Sequence, residues 1–325
     1  MIFKKLKEAG ILGINRRVGE YILPYNPRRY YPDVDNKIKT FHLAEKFNIS
    51  QPKIFTTIET TGELRFLHKK IHNLQEFVIK PNRGAMGNGI LLIHSANWPQ
   101  ELNSSKRKDF DKIVSFETSR GSMNLKDLTY YISDILSGMY YLNGQPDQVI
   151  LQEKLGIHPT LIPYAYKGIP DVRVIVFRGY PVMAMIRLPT SQSKGRANLH
   201  QGAVGCGLNI KDGTICGATW QNSWIHHHPD TKNSFSNLQI PHWHEVLELS
   251  SRCYKLTNMG YIGVDLVLDE QKGPLLLEIN ARPGLSIQIA NKTGLEPRLK
   301  FVKSLPEDFS PREKVELIKR HSLFS

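Results

Sequence analysis

The chain has 325 residues, 40% hydrophobic and 22% charged, with 24 Gly and 19 Pro. These proportions exclude disordered and fibrous classes, and at about 100–200 residues per domain the length predicts two domains. Lys and Arg number 43 against 30 Asp and Glu, a formal net charge of +13, which calls for an anionic partner: nucleic acid, lipid surface, nucleoside triphosphate or acidic peptide. The three cysteines, Cys206, Cys216 and Cys253, form an odd set without CxxC spacing, so neither a disulfide framework nor a four-thiolate zinc site is indicated. The N-terminus is charged from Lys4 and no run approaches the roughly 18 apolar residues of a membrane span, so a cytoplasmic protein is expected.

In chain order, residues 1–34 are basic and aromatic, with Arg16-Arg17 and Asn26-Pro27-Arg28-Arg29-Tyr30-Tyr31, and their prolines predict an extended arm. From Asp35, the expected cap, Ile38, Phe41, Ala44 and Phe47 recur at helical spacing up to Gln51-Pro52, which places Lys37 in the first turn. Strands are expected at Phe77-Val78-Ile79-Lys80 and Ile90-Leu91-Leu92-Ile93, around a glycine loop from Pro81 to Gly89. Leu128, Ile132, Ile135, Met139 and Leu142 mark an amphipathic helix, and Val149-Ile150-Leu151-Gln152 a buried strand. Asp171 to Phe177, a turn at Arg178-Gly179 and Pro181 to Ile186 read as paired strands, and residues 189–202 as a mobile loop. Trp243 to Thr257 outlines a second amphipathic helix. Tyr261 to Leu268 and Leu275 to Asn280 form a hairpin, and Ser310-Pro311-Arg312-Glu313 opens a terminal helix with a capping box. The mixture predicts an α+β (mixed α/β) architecture without doubly wound alternation.

The hairpin carries the sharpest chemical signal. Side chains alternate on a strand, so Glu278 and Asn280 share a face, and a turn centred between Gln271 and Lys272 puts Asp265 opposite Glu278. Two adjacent carboxylates repel, and with an amide beside them they form a hard oxygen set that suits Mg²⁺; the plainer reading is a solvated polar face. Gly84, Gly87 and Gly89 let backbone N–H groups approach a phosphate, with Lys80 as a point charge; taken alone, a structural turn explains them as well. Lys37 adds a cation at a helix start, or is a surface lysine. Arg173 interrupts an apolar strand, so it either pairs with an acid such as Asp171 or Glu278 or faces an anionic ligand. His226, His227, His228, His242 and His244 lie in polar context without metal-finger spacing, and no zinc site is expected.

Taken in order, these pieces resemble the ATP-grasp superfamily, and most closely RimK-like alpha-L-glutamate ligase-related proteins, from about Asp35 to Gly284. The resemblance makes Lys37 and Lys80 the two ATP lysines, Gly84, Ala85, Met86, Gly87 and Gly89 part of the phosphate-covering loop, and Gln152, Glu153, Lys154 and Leu155 the hinge that holds adenine. It gives Arg173 the transferred phosphoryl group, and Arg196 and Asn198 places in the active-site loop. Asp265, Glu278 and Asn280 become the magnesium ligands, with Mn²⁺ able to substitute, and Arg282 a neighbouring catalytic residue. The implied fold is two lobes clasping ATP, residues 35–155 and 156–325, behind a short arm, residues 1–34, where relatives carry a full domain.

The expected activity is ATP-dependent carboxylate–amine ligation through an acyl phosphate, joining an amino acid such as glutamate to a peptide or small-molecule carboxylate. Two other readings stand beside it: an ATP-grasp protein that binds ATP without ligating, and a basic nucleic-acid binder, which the carboxylate set disfavours.

Overall fold

The computed structural model describes residues 2–84, 87–98, 113–141 and 144–324; Ala85, Met86 and Leu142 lie outside the described residues. The chain divides into two compact units, Pro52–Leu155, and Met1–Gln51 together with Gly156–Ser325. The Lys37–Lys46 helix therefore belongs to the larger unit.

Among the described residues the smaller unit holds an antiparallel sheet of β1 (Ile54–Ile58), β2 (Phe77–Pro81), β3 (Leu91–Asn97), β4 (Ser115–Thr118), β5 (Gly121–Asn124) and β6 (Val149–Gln152), in the order β1-β6-β2-β3-β4-β5. Phe77, Ile79, Val149 and Leu151 point to one side and join Leu128, Ile132 and Ile135 of the Leu125–Leu136 helix in the core. Asn124 caps that helix by accepting from the Asp127 N–H, and Asp127 answers to the Asn124 N–H. Met139, expected on its apolar face, is exposed, because the helix stops before Gly138, which takes φ +88°.

The larger unit is built on an antiparallel sheet of β7 (Asp171–Phe177), β8 (Tyr180–Leu188), β9 (Val204–Leu208), β10 (Ile215–Trp220), β11 (Ser223–Trp224), β12 (Tyr261–Asp269) and β13 (Gly273–Asn280), ordered β11-β10-β9-β8-β7-β12-β13. The β7–β8 turn uses Arg178 at φ +51° and Gly179 at φ +81°, the left-handed pair that matches strand twist. The Trp243–Thr257 and Pro311–Arg320 helices pack on each other and on this sheet, the second with its Ser310–Glu313 capping box.

Three expectations change. The arm is helical rather than extended over Ile14–Tyr25 and Arg28–Asp35: Pro24 and Pro32 are each the second residue of an α-helical segment that continues a π or 3-10 turn, Val18–Ile22 or Arg28–Tyr30. The cap of the next helix is Asn36, accepting from the Lys39 N–H at 2.9 Å; Asp35 ends the preceding helix, and Lys37 is the first helical residue. That helix closes at Lys46, short of Gln51-Pro52, because Asn48 turns left-handed at φ +50°.

Tertiary contacts explain the arm's conformation. The buried Asn26 amide donates to the carbonyls of Tyr261 and Ala281 and accepts from the Tyr261 N–H, tying the arm to the ends of β12 and β13. Arg17 donates to the Pro283 carbonyl, and Arg16 bonds Glu296 at 2.7 Å.

Candidate functional site

One face of the β7–β8–β12–β13 sheet is apolar: Val172, Val174, Ile186, Val264, Leu266 and Ile279 enter the core. The registers Asp171↔Arg187, Arg173↔Asp265 and Asp265↔Glu278 put five charged side chains on the opposite face. Asn280, two residues beyond Glu278, shares it. Asp265 faces Glu278 as expected, but by another route: the strands pair Asp269 with Gly273, which centres the turn on Gln271 rather than between Gln271 and Lys272, and a bulge then shifts the register by one. This bulge, between Asp265/Glu278 and Leu266/Leu276, leaves Leu277 unpaired and 37% exposed, so it does not line the apolar face with Ile279.

Four of the five charges on this face are matched to one another. Arg173 donates Nε to Asp265 Oδ1 at 2.7 Å and Nη2 to Oδ2 at 2.6 Å. Arg187 Nη2 reaches both Asp265 Oδ2 at 2.9 Å and Asp171 Oδ2 at 2.6 Å, and its Nε bonds Asp171 Oδ1. Asn280 Nδ2 adds a third donor to Asp265 Oδ2 at 3.1 Å. Arg173 therefore does pair with an acid, Asp265, rather than Asp171 or Glu278. Burial alone would raise the Asp265 carboxyl, but the charges and hydrogen bonds of Arg173 and Arg187 hold it below the ordinary value. Asp171, with Arg187 as its one bonded cation and Asp265 close by, is pushed up by burial to about 6.

The donor chemistry tests the metal expectation. Glu278 is half-buried and has no hydrogen bond or ion pair among the described residues, while Asn280 uses its Nδ2 and keeps its Oδ1 for another partner. Both fit a hard cation that takes few protein ligands. Asp265 is on the same face with its oxygens filled by N–H donors, and joins such a set only with Arg173 moved aside. Arg282, exposed between the buried Ala281 and Pro283, follows β13 with its guanidinium 4.9 Å from the Tyr31 ring centroid.

The loop of residues 189–202 is anchored rather than left to solvent. Thr190 and Ser193, both buried, bond each other's backbone; Ser191 bonds Asp230; and Thr190 Oγ1 donates to the Gly202 carbonyl. His228, fully buried, accepts the Asp230 and Thr231 N–H groups at Nδ1, which leaves Nε2 to donate to the Pro189 carbonyl at 3.0 Å. That role is structural, and burial lowers its pKa. Within the loop Arg196 bonds Gln201 at 3.2 Å, and Asn198 caps the short turn Leu199–Gln201.

In the smaller unit, Lys80 pairs with Ile150, and Gln152 with Val78, so Lys80 and Gln152 share the sheet face opposite the core. The following loop is fixed at its base, where Arg83 N–H donates to the buried Asp147 carboxylate and Asn82 to Gln148. Gly84 and Gly89 are required by packing, since a Cβ would strike Pro81 or the Tyr140 ring, and Gly87 by its φ of +71°. In the hinge segment, Glu153 bonds the Lys53 backbone through both its N–H and its carboxylate, Lys154 pairs with Glu76 at 3.1 Å, and Leu155 is half-buried. Lys37 stands at the helix start of the larger unit.

Residues 16–304 match the protein family described as sugar-transfer associated ATP-grasp. The chain belongs to this family. Membership makes the pair of antiparallel sheets with their helices an ATP-grasp fold. A comparison with curated proteins gives no match. Among solved structures, the ATP-grasp ligase PsnB complexed with minimal precursor is 14% identical over 86% of this chain and 63% of that one, with TM-score 0.41. Phosphoribosylamine–glycine ligase from Thermotoga maritima is 16% identical over 84% of this chain and 54% of that one, with TM-score 0.43. The L-amino acid ligase from Bacillus licheniformis is 11% identical over 80% of this chain and 43% of that one, with TM-score 0.40. The chain thus spans 63% of the PsnB chain. Among the described residues no helix is long and apolar enough to cross a membrane.

In this ATP-grasp chain the residues that sequence reading missed are Asp171 and Arg187 as a pair, and His228 as the loop's anchor. Arg187 had a readable signal, a charge at the end of the apolar run Pro181 to Ile186.

Proposed function

We propose that this ATP-grasp chain is an ATP-dependent carboxylate–amine ligase. The γ-phosphoryl group of ATP passes to a substrate carboxylate oxygen, releasing ADP; an amine nitrogen then attacks the acyl carbon, phosphate leaves, the nitrogen loses a proton and an amide remains. The observation that carries this reading is the polar sheet face on which Arg173, Asp265, Glu278 and Asn280 meet above an apolar core.

Phosphoryl transfer asks the protein chiefly for positioning and charge. Arg173 supplies the cation for the charge that develops on the transferred group, in company with Arg196, Asn198 and Arg282. Lys37, Lys80 and the backbone of Gly84, Gly87 and Gly89 are the groups that the resemblance offers for phosphate contacts. Gln152, Glu153, Lys154 and Leu155 supply the base contacts. Magnesium, held by Glu278 and Asn280 and by Asp265 once Arg173 has turned from it, would neutralise phosphate charge.

The amine and the carboxylate are the finer part of the proposal. The RimK-like resemblance puts glutamate first, and because the family is described as sugar-transfer associated we add uronic acids and amino sugars to the panel. The test is magnesium-dependent ADP release with each amino acid and amino sugar against each carboxylate, with product mass as confirmation. An adduct lighter by one water than its two parents supports ligation; ATP binding without ADP release across the panel rejects it.

A further inference from the structure

We infer that Arg187 is a positioning residue that frees Arg173 for the reacting phosphate; the inference rests on the ligase reading above. The polar face holds two carboxylates, Asp171 and Asp265, and two guanidiniums, Arg173 and Arg187, and all four side chains are at most 14% exposed. Arg173 bonds Asp265 and Arg187 bonds both acids. A buried carboxylate does not give up its one counter-charge readily, because the charge left behind has neither partner nor water. Were Arg173 the only cation on Asp265, it would stay there. Arg187 removes that constraint: its Nη2 remains on Asp265 Oδ2 when Arg173 turns away, while its Nε and Nη2 stay fixed by Asp171. Asp171 in turn keeps Arg187 from following Arg173. Arg187 has no need to touch the nucleotide, and its effect runs through Asp265 and Arg173.

A structural pair and a positioning pair answer differently to joint removal. R187M alone strands Asp171 and is expected to destabilise the fold. In D171L/R187M both members of the pair are apolar, a replacement that buried ion pairs tolerate, and Asp265 still has Arg173. The double variant is therefore expected to melt within a few degrees of wild type. Its ADP release from Mg·ATP, with the twenty-amino-acid mixture and the carboxylate panel, is expected to fall by about tenfold to a hundredfold. KM for ATP is expected to stay within about threefold, since the ground-state nucleotide contacts are elsewhere.

A double variant with wild-type melting and wild-type kcat overturns the inference and leaves the ligase reading standing. A double variant that does not fold also overturns it, since the pair would then be structural. Wild-type chain that releases no ADP overturns the ligase reading, and the inference falls with it.

Discussion

Arg173 and Asp265 stand directly opposite each other on β7 and β12 and join through two parallel hydrogen bonds of 2.7 and 2.6 Å. The cation we propose for the transferred phosphoryl group is thus held on a carboxylate one strand away from Glu278. R173M removes a charge that matters most when the transferred group is most negative, so kcat is expected to fall by about 10²–10³-fold. It also leaves two buried acids to share Arg187, so stability is expected to fall by about 1–2 kcal/mol, less than where a buried charge loses its one partner. Urea unfolding and ADP release measure the two effects separately, and turnover within a few-fold of wild type would remove Arg173 from the mechanism.

Glu278 offers the converse case. Its carboxylate has no bonded partner among the described residues, so E278Q changes charge without breaking a bond. Stability is expected to stay within about 0.5 kcal/mol of wild type, while magnesium-dependent ADP release is lost. A magnesium titration decides the point: a curve that superimposes on wild type rejects Glu278 as a metal ligand.

How much of this face was legible follows from its two bulges. The hairpin from Tyr261 to Asn280 was readable from its apolar runs and polar turn, and Asp265 does face Glu278, although the turn is centred on Gln271 and a bulge brings the two acids level. The Asp171–Arg187 pair was not. With the β7–β8 turn at Arg178-Gly179, uninterrupted pairing would set Asp171 against Ile186 and turn Arg187 to the other face. The irregularity at Ile175/Val176 shifts the partner by one, to Arg187. Nothing in the local sequence announces that extra residue. The strand β9 was hidden differently, since Gly205 and Gly207 interrupt its apolar pattern; they are there because Leu199 and the Ala290 backbone lie too close for a Cβ. The arm's helices were obscured by prolines that sit where one helical form passes into another, and their packing depends on Asn26, whose partners are more than two hundred residues away.

Asn26 is accordingly the residue through which the arm should be most sensitive. N26A removes two donors and one acceptor and leaves the Tyr261 carbonyl and N–H and the Ala281 carbonyl buried without them. At about 1–3 kcal/mol for each buried polar group left unsatisfied, partly relieved by relaxation, the expected loss is about 3 kcal/mol. Because Tyr261 and Ala281 bracket the two strands of the candidate site, ADP release is expected to fall more steeply with temperature than in wild type. Denaturant unfolding of N26A against wild type measures the loss; an N26A midpoint equal to wild type would show that the arm does not brace the hairpin.

The arm's second attachment makes a pH prediction. The hydrogen bond from Arg16, joined by that of Lys300, lowers Glu296 from 4.5 to about 2. A carboxylate depressed on folding binds fewer protons in the folded than in the unfolded chain between those two values. Its contribution is therefore complete above about pH 4.5 and is lost as pH falls towards about 2. E296Q keeps the shape and cannot ionise, so it should be less stable than wild type at pH 7. The gap should narrow steadily below pH 4.5 as wild-type Glu296 takes up its proton. Arg16 also holds Glu20 through its Nε at 2.9 Å, an exposed pair of small weight that persists in the variant. Urea midpoints of the two proteins at pH 7, 5 and 3.5 measure the gap, and a gap that is constant over that range would mean that the Glu296 charge contributes nothing to anchoring the arm.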